Sequence, residues 1–219
     1  MFVCTFEMSG CVTSGGGVSI EELRGKADQG DANAQVQLCV AYDMGRGVVR
    51  SQSEAASWCR KAAEQGNAVA QNSLGSMYQF GEGVSQDNVE AVRWYQKAAD
   101  QGYGDAYANL GYMYDKGLGV TQDKQNAIKL YQNGAEKGNP SSMLNLGVSY
   151  WKGDGVSIDL VQAYMWLDLA RFYTQGSTNM KLKWSVRRVL DDVKKEMTVE
   201  QIRSAGQLSR DWDIAHRSK

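Results

Sequence analysis

The chain has 219 residues with 24 Lys plus Arg against 25 Asp plus Glu and a formal net charge of −1, a balance that gives no nucleic-acid footprint over the whole molecule. No stretch approaches the ~18 uninterrupted apolar residues of a membrane span, and four cysteines in a chain this long do not make a disulfide framework. Charge is uneven along the chain: residues 179–219 hold 10 basic and 6 acidic residues and residues 1–178 hold 14 and 19, which reads as a solvated basic helix face near the C-terminus.

Residues 1–18 read as a disordered leader of no catalytic meaning. Within it Met8-Ser9-Gly10-Cys11 resembles a bacterial lipoprotein box, but Met1 to Met8 contains no Lys or Arg, carries Glu7 and is too short for an apolar core segment. Ser19 to Asp28 reads as a helix, with Ser19 as N-cap, Glu22 three residues on as the other half of a capping box and Gly30 just past the end. Ala27-Asp28-Gln29-Gly30 matches Ala63-Glu64-Gln65-Gly66, so the array opens on a half unit.

From there a period of 36 residues governs the chain. Gly30, Gly66, Gly102 and Gly138 keep it, as do Gly45, Gly81, Gly117 and Gly153, then Leu38, Leu74, Leu110 and Leu146, Tyr42, Tyr78, Tyr114 and Tyr150, and Ala55, Ala91, Ala127 and Ala163. Repeats of this length are helical pairs that cannot bury an apolar face alone and stack on their neighbours. In the second unit Ala70, Leu74, Met77 and Tyr78 form the stripe of an amphipathic helix. Gly81-x-Gly83-Val84 ends it, because glycine accepts positive φ. Asp87, with Asp123, Asp159 and Ser51 in register, is placed to cap a second helix that carries Ala91, Trp94, Tyr95, Ala98 and Ala99 on one side. Asn139-Pro140 reads as N-cap and first helical residue.

Cys39 occupies the slot of Gly75, Gly111 and Gly147, and Cys59 that of Tyr95, Tyr131 and Leu167. Both are core slots on the two helices of one hairpin. The expectation is a pair of buried thiols rather than a bridge, with a reducing compartment as the inference.

The fourth unit keeps Ala163 and Trp166 in its second helix, Leu160 to Tyr173, after which no glycine doublet follows. Leu182, Val186, Val189, Leu190, Val193 and Met197 then mark one long amphipathic helix. Thr198 and Gln201 form a capping box that opens a last helix through Ile202, Ala205, Leu208 and Trp212. A terminal pair with charged outer faces suits a cap. The expected fold is all-α with eleven helices: two in each of four repeats, a leading half unit and a two-helix cap. The boundaries are a leader at 1–18 and a single solenoid at 19–219, with repeats at about 31–66, 67–102, 103–138 and 139–176 and the cap at 177–219.

Gly-x-x-x-Ala, Leu-Gly-x-x-Tyr, Gly-x-Gly-Val and Ala-x-x-Trp-x-x-x-Ala-Ala at this period resemble the Sel-one-like repeat family, relatives of the tetratricopeptide repeats. The resemblance covers about residues 19–176, and the tail from Met165-Trp166-Leu167, with Met197-Thr198-x-Glu200-Gln201-Ile202 and Trp212, is similar to the closing segment of bacterial members. It implies a right-handed α/α superhelix and a non-catalytic adaptor that binds a protein or peptide. Tyr103-Gly104, Leu130 and Cys39 depart from the pattern and loosen local packing.

If the first helix of each pair lines the inside of the superhelix, as the tetratricopeptide pattern implies, the residues off the Leu-Gly-x-x-Tyr stripe face the groove. These are Val36, Val40, Asp43 and Met44 in the first unit and Asn72, Ser76, Gln79 and Phe80 in the second. The third contributes Tyr112, Asp115 and Lys116, and the fourth Leu144, Val148, Trp151 and Lys152. Tyr112 and Trp151 are the expected anchors, and Asn72, Asn109 and Asn145 the expected donors to an extended peptide or partner helix.

Chemistry finds little purchase. The Gly-x-Gly doublets join helix to helix, with no strand before them and no third glycine, so they read as turns and not as a phosphate cradle. His216, the only histidine, lies three residues from the end and reads as a surface residue; no triad and no multi-histidine metal site can be assembled around it. No cofactor or metal is expected. Cysteine-rich relatives of the family are linked with penicillin binding or β-lactam hydrolysis, which stands as the enzyme alternative, although they carry a cysteine pair in every repeat and this chain does not. Nucleic-acid binding through Lys181, Lys183, Arg187, Arg188, Lys194 and Lys195 is a further alternative, weakened by the interrupting Asp191, Asp192 and Glu196. The expected location is cytoplasmic, with a periplasmic or lipid-anchored form through Cys11 as the alternative, and the expected state is a monomer without a membrane span.

Overall fold

The computed structural model describes residues 19–217, and every element in them is helical. The leader with its lipoprotein-like Cys11, and Cys4, lie outside the described residues. The half unit is α1 (Ile20–Asp28). The four repeats are the pairs α2 (Ala32–Met44) and α3 (Gln52–Glu64), α4 (Ala68–Phe80) and α5 (Asn88–Asp100), α6 (Gly104–Lys116) and α7 (Lys124–Glu136), and α8 (Pro140–Lys152) and α9 (Leu160–Tyr173). The terminal pair is α10 (Met180–Lys195) and α11 (Val199–Arg217).

Local chemistry sets these boundaries. Gly45, Gly81, Gly117 and Gly153 each end a first helix in the left-handed conformation, with φ between 66° and 72°. Ser51, Asp87, Asp123 and Asp159 each accept from an amide in the first turn of a second helix. Asn139 caps α8, with Pro140 at its first position. At the start of α1 the Ser19 hydroxyl caps Glu22, as the spacing suggests, but the Glu22 carboxylate turns to Lys26 at 2.8 Å. The box at α11 closes from both sides: Thr198 N donates to Gln201 Oε1 at 2.8 Å and Gln201 N to Thr198 Oγ1 at 3.2 Å.

From α1 to α9 each helix packs on the next, first on second within a repeat and second on first across the junction, so apolar packing continues from pair to pair along the stack. Leu38, Leu74, Leu110 and Leu146 have no solvent exposure. A side-chain carbon at Gly75 would stand 2.7 Å from the Tyr95 ring, and the same holds at Gly111 against Tyr131, at 2.5 Å. Glycine on the first helix therefore makes room for the ring of the second. In the first repeat this lock has a different chemistry. Cys39 and Cys59, in the glycine and tyrosine slots, form a disulfide with their Cα atoms 5.2 Å apart, which corrects the expectation of buried thiols: the hairpin brings the two Cβ vectors together as well as the chains.

Buried glutamines stitch the first junctions. Gln35 Nε2 donates to the Ala27 carbonyl at 3.0 Å and Gln71 Nε2 to the Ala63 carbonyl at 3.1 Å, while Gln65 and Gln101 donate to their side-chain oxygens at 2.7 Å. The third repeat starts without a side-chain cap at Tyr103. There Asn139 of the next repeat donates to Asp105 at 2.5 Å and ties the two starts together.

Candidate partner-binding face

The first helices lie side by side. Asn109 on α6 donates to the Asn72 side chain on α4 at 2.9 Å, and α6 packs on α8. The face they share is therefore lined by residues of α2, α4, α6 and α8 that point away from the second helices.

Large apolar groups stand open on it. Met44 is 56% exposed, Phe80 64% and Tyr112 41%, with Val40 exposed beside Met44 on α2. Met44 and Phe80 hold the same position in successive repeats, where Lys116 and Lys152 follow. The face thus changes from apolar at its first half to charged at its second. Asp115 pairs with Lys116 at 2.7 Å, and that hydrogen bond raises the Lys116 ammonium above its ordinary range. Asn145, Val148, Asn72, Ser76 and Asp43 are half-buried along the same face, whereas Val36 packs against the core of the first repeat.

Three further groove residues expected from the sequence are held differently. Gln79 is buried and its side-chain oxygen accepts from the Tyr95 hydroxyl at 2.8 Å. It is part of the glycine–tyrosine lock and is not open to a partner, because a buried phenol needs an acceptor. Trp151 is half-buried in the cluster around Leu167, Leu190 and Val193, and its indole Nε1 donates to Glu196 at 2.9 Å. It is a clasp between α8 and the end of α10. Leu144 packs against the same cluster and counts as core.

His216 is not a free surface residue: its ring stacks on Trp212 with centroids 4.0 Å apart, and Nδ1 lies 2.8 Å from the Trp212 carbonyl. Among the described residues no group of three His, Cys, Asp or Glu could hold a metal ion, and no helix is long and apolar enough to cross a membrane. Sequence reading missed the glutamine ladder, although Gln35 and Gln71, and Gln65 and Gln101, keep the 36-residue period. It also missed the division of the basic residues of α10. Lys183, Arg187 and Lys194 face α9, whereas Lys181, Arg188 and Lys195 lie on the outer side with Trp184, over which Arg188 rests 4.8 Å from the ring centroid.

The Sel1 repeat model matches residues 32–67, 68–103, 104–139 and 140–171. Among solved structures the fold is similar to c5321, a protective antigen present in uropathogenic Escherichia coli strains, at 34% identity and a TM-score of 0.79. That match covers 90% of this chain but only 41% of the E. coli chain, so the chain spans about two fifths of that relative. A Sel1 repeat protein from Oxalobacter formigenes is 32% identical with a TM-score of 0.73, over 87% of this chain and 75% of that one. The immunity protein Pa5087 from Pseudomonas aeruginosa, 16% identical with a TM-score of 0.51 over 80% of this chain and 73% of that one, shares the fold alone. No curated protein matches the chain. With four tandem copies matched over well over half its length and stacked in one helical array, the chain belongs to the Sel1 repeat family.

Proposed function

We propose that this protein is a non-catalytic adaptor that holds a protein or peptide partner on the concave face formed by α2, α4, α6 and α8. Sel1 repeat proteins generally act as protein-interaction scaffolds, and one observation carries the reading to this face: Met44, Phe80 and Tyr112 stand exposed on three successive first helices while the leucines beneath them are buried identically in every copy. An apolar anchor row of this kind, followed by Lys116 and Lys152, fits an amphipathic partner segment with acidic groups toward one end. Trp151 is replaced by Phe80 as the second anchor, since its indole is committed to Glu196.

The test is capture of partners from extracts of the source organism by wild-type protein and by the Phe80→Ala–Tyr112→Ala variant, followed by direct titration of the protein identified. The variant should lose about 2 kcal/mol of binding, roughly thirtyfold in Kd, with an unchanged melting temperature. Equal capture by both proteins would move the binding site off this face.

The Cys39–Cys59 bridge favours the periplasmic location over the cytoplasmic one, because such cross-links persist in oxidising compartments. Trapping free thiols in intact cells and counting alkylated cysteines distinguishes the two.

A further inference from the structure

α10 and α11 both pack on α9 but scarcely on each other, and a groove of about 500 Å³ is left where α10 leans away over the outer side of α9. Its floor is Tyr164, Asp168 and Arg171, one stripe of α9; its wall is Lys183, Arg187 and Lys194, one stripe of α10, with Leu190 at the base. Arg171 is neutralised by Asp168, at 2.6 Å, and the other Asp168 oxygen accepts from Ser209 of α11 at 2.7 Å. The wall is not neutralised. Among the described residues Arg187 and Lys194 make no ion pair, and Lys183 donates only to the Gln175 carbonyl at 2.9 Å. Asp191 is the one carboxylate on that wall. Burial first and Asp168 second push the Tyr164 hydroxyl up, and Arg171 and Arg210 draw it down.

We infer that this groove is a second binding site, separate from the first-helix face, and that it takes an acidic peptide segment in extended conformation. From Lys183 to Lys194 the cations run roughly 16 Å along the helix, the reach of about five residues of extended chain. A single small anion would engage one end of such a row and leave the rest. A nucleic-acid strand fits less well: Tyr164 is only 8% exposed, so its ring offers no open face for a base, and Asp168 and Asp191 would oppose a continuous run of phosphates.

A fluorescein-labelled short peptide of alternating Glu and Ser, titrated with the full chain at low salt and followed by anisotropy, tests this. Saturable binding should weaken about tenfold in the Arg187→Glu–Lys194→Glu variant. The Lys181→Glu–Arg188→Glu variant, with the same change in charge on the outer face of α10, should stay within about twofold of wild type. Should Lys194→Glu disturb the helix, seen as lost ellipticity, Arg187→Glu alone carries the test, since that side chain is exposed; a drop of about threefold is then expected. Equal weakening by the inner and outer pairs, absence of saturation, or tighter binding of a single-stranded oligonucleotide of matched charge would each overturn the proposal. The Phe80→Ala–Tyr112→Ala variant should bind this peptide as wild type does, so the two sites fail or stand separately.

Discussion

At the residue scale the first and second repeats show two solutions to one packing problem. Gly75 and Tyr95 are interlocked by shape, the glycine leaving space that the ring fills and the Tyr95 hydroxyl bonding Gln79, whereas Cys39 and Cys59 hold the equivalent helices α2 and α3 by a covalent bond across a 20-residue separation. A shape lock acts in the folded state; a cross-link acts largely by restricting the unfolded chain, worth about 3 kcal/mol for a loop of this size. Reduction, or Cys59→Ser, should therefore lower the melting temperature by several degrees, and an unchanged melt under reductant would show that the bridge contributes nothing. Cys39→Gly with Cys59→Tyr should recover part of the loss by rebuilding the shape lock. The buried tyrosines set a second expectation. Burial, then Asp105, pushes the Tyr103 hydroxyl up to about 12 from the usual 10.0, and burial raises Tyr95 and Tyr131 further. Because the folded state prefers the protonated phenol, this stabilisation is complete below the unfolded value near 10.0 and is lost as pH rises from there toward 12. The urea midpoint should fall across that window, and Tyr103→Phe should flatten the first part of the fall.

At the element scale, what decides a helix's role is which neighbour covers each of its sides. α8 carries Trp151 at the position that is Asp115 in α6 and Gln79 in α4, yet only in α8 does a terminal helix lie within reach, and the indole is drawn to Glu196 at 2.9 Å. Trp151→Ala should accordingly cost about 1–2 kcal/mol of stability and make residues 180–217 more sensitive to protease, a readout of cap loosening. Glu196→Gln keeps an acceptor oxygen and should lower stability less. Melting and limited proteolysis of the two variants check this; a Trp151→Ala protein as stable and as resistant as wild type would return the indole to the list of free surface groups.

Across the whole molecule, stability is the sum of nearest-neighbour junctions, and the two ends need partners with a polar outer side. α1 covers the first repeat through Leu23 and Ala27, which are buried against it. At the other end Val186, Leu190, Val193 and Ala205 of the terminal pair are buried on α8 and α9. Deleting residues 177–219 would uncover Tyr164, Leu167, Leu169 and Ala170 together, an apolar surface large enough to drive association. Size-exclusion chromatography with light scattering should then find oligomers or aggregate; a truncated chain that stays monomeric and melts like the whole would remove the cap role. The glutamine ladder ends after the second repeat, where Tyr107 and Met143 replace Gln35 and Gln71, so the first junctions rest more on buried hydrogen bonds and the later ones on apolar contact.

The sequence by itself determined the helices, their caps, their order and the repeat stacking, because each of these rests on chemistry within about 36 residues: a glycine that tolerates positive φ, an aspartate that reaches its own helix's amides, a leucine that returns on the same side at every copy. The exposure of Met44, Phe80 and Tyr112 was legible for the same reason, as positions off a known stripe. Only the tertiary structure decided matters that turn on distances between elements. Whether Cys39 and Cys59 meet depends on Cβ direction, which spacing does not encode. Gln79 and Trp151 sit off the stripe like Phe80, but the Tyr95 hydroxyl and the Glu196 carboxylate, 16 and 45 residues away, claim them. The basic residues of α10 read as one run in the chain; the rotation of that helix about its axis against α9 is what turns three of them into a groove and leaves the others to solvent.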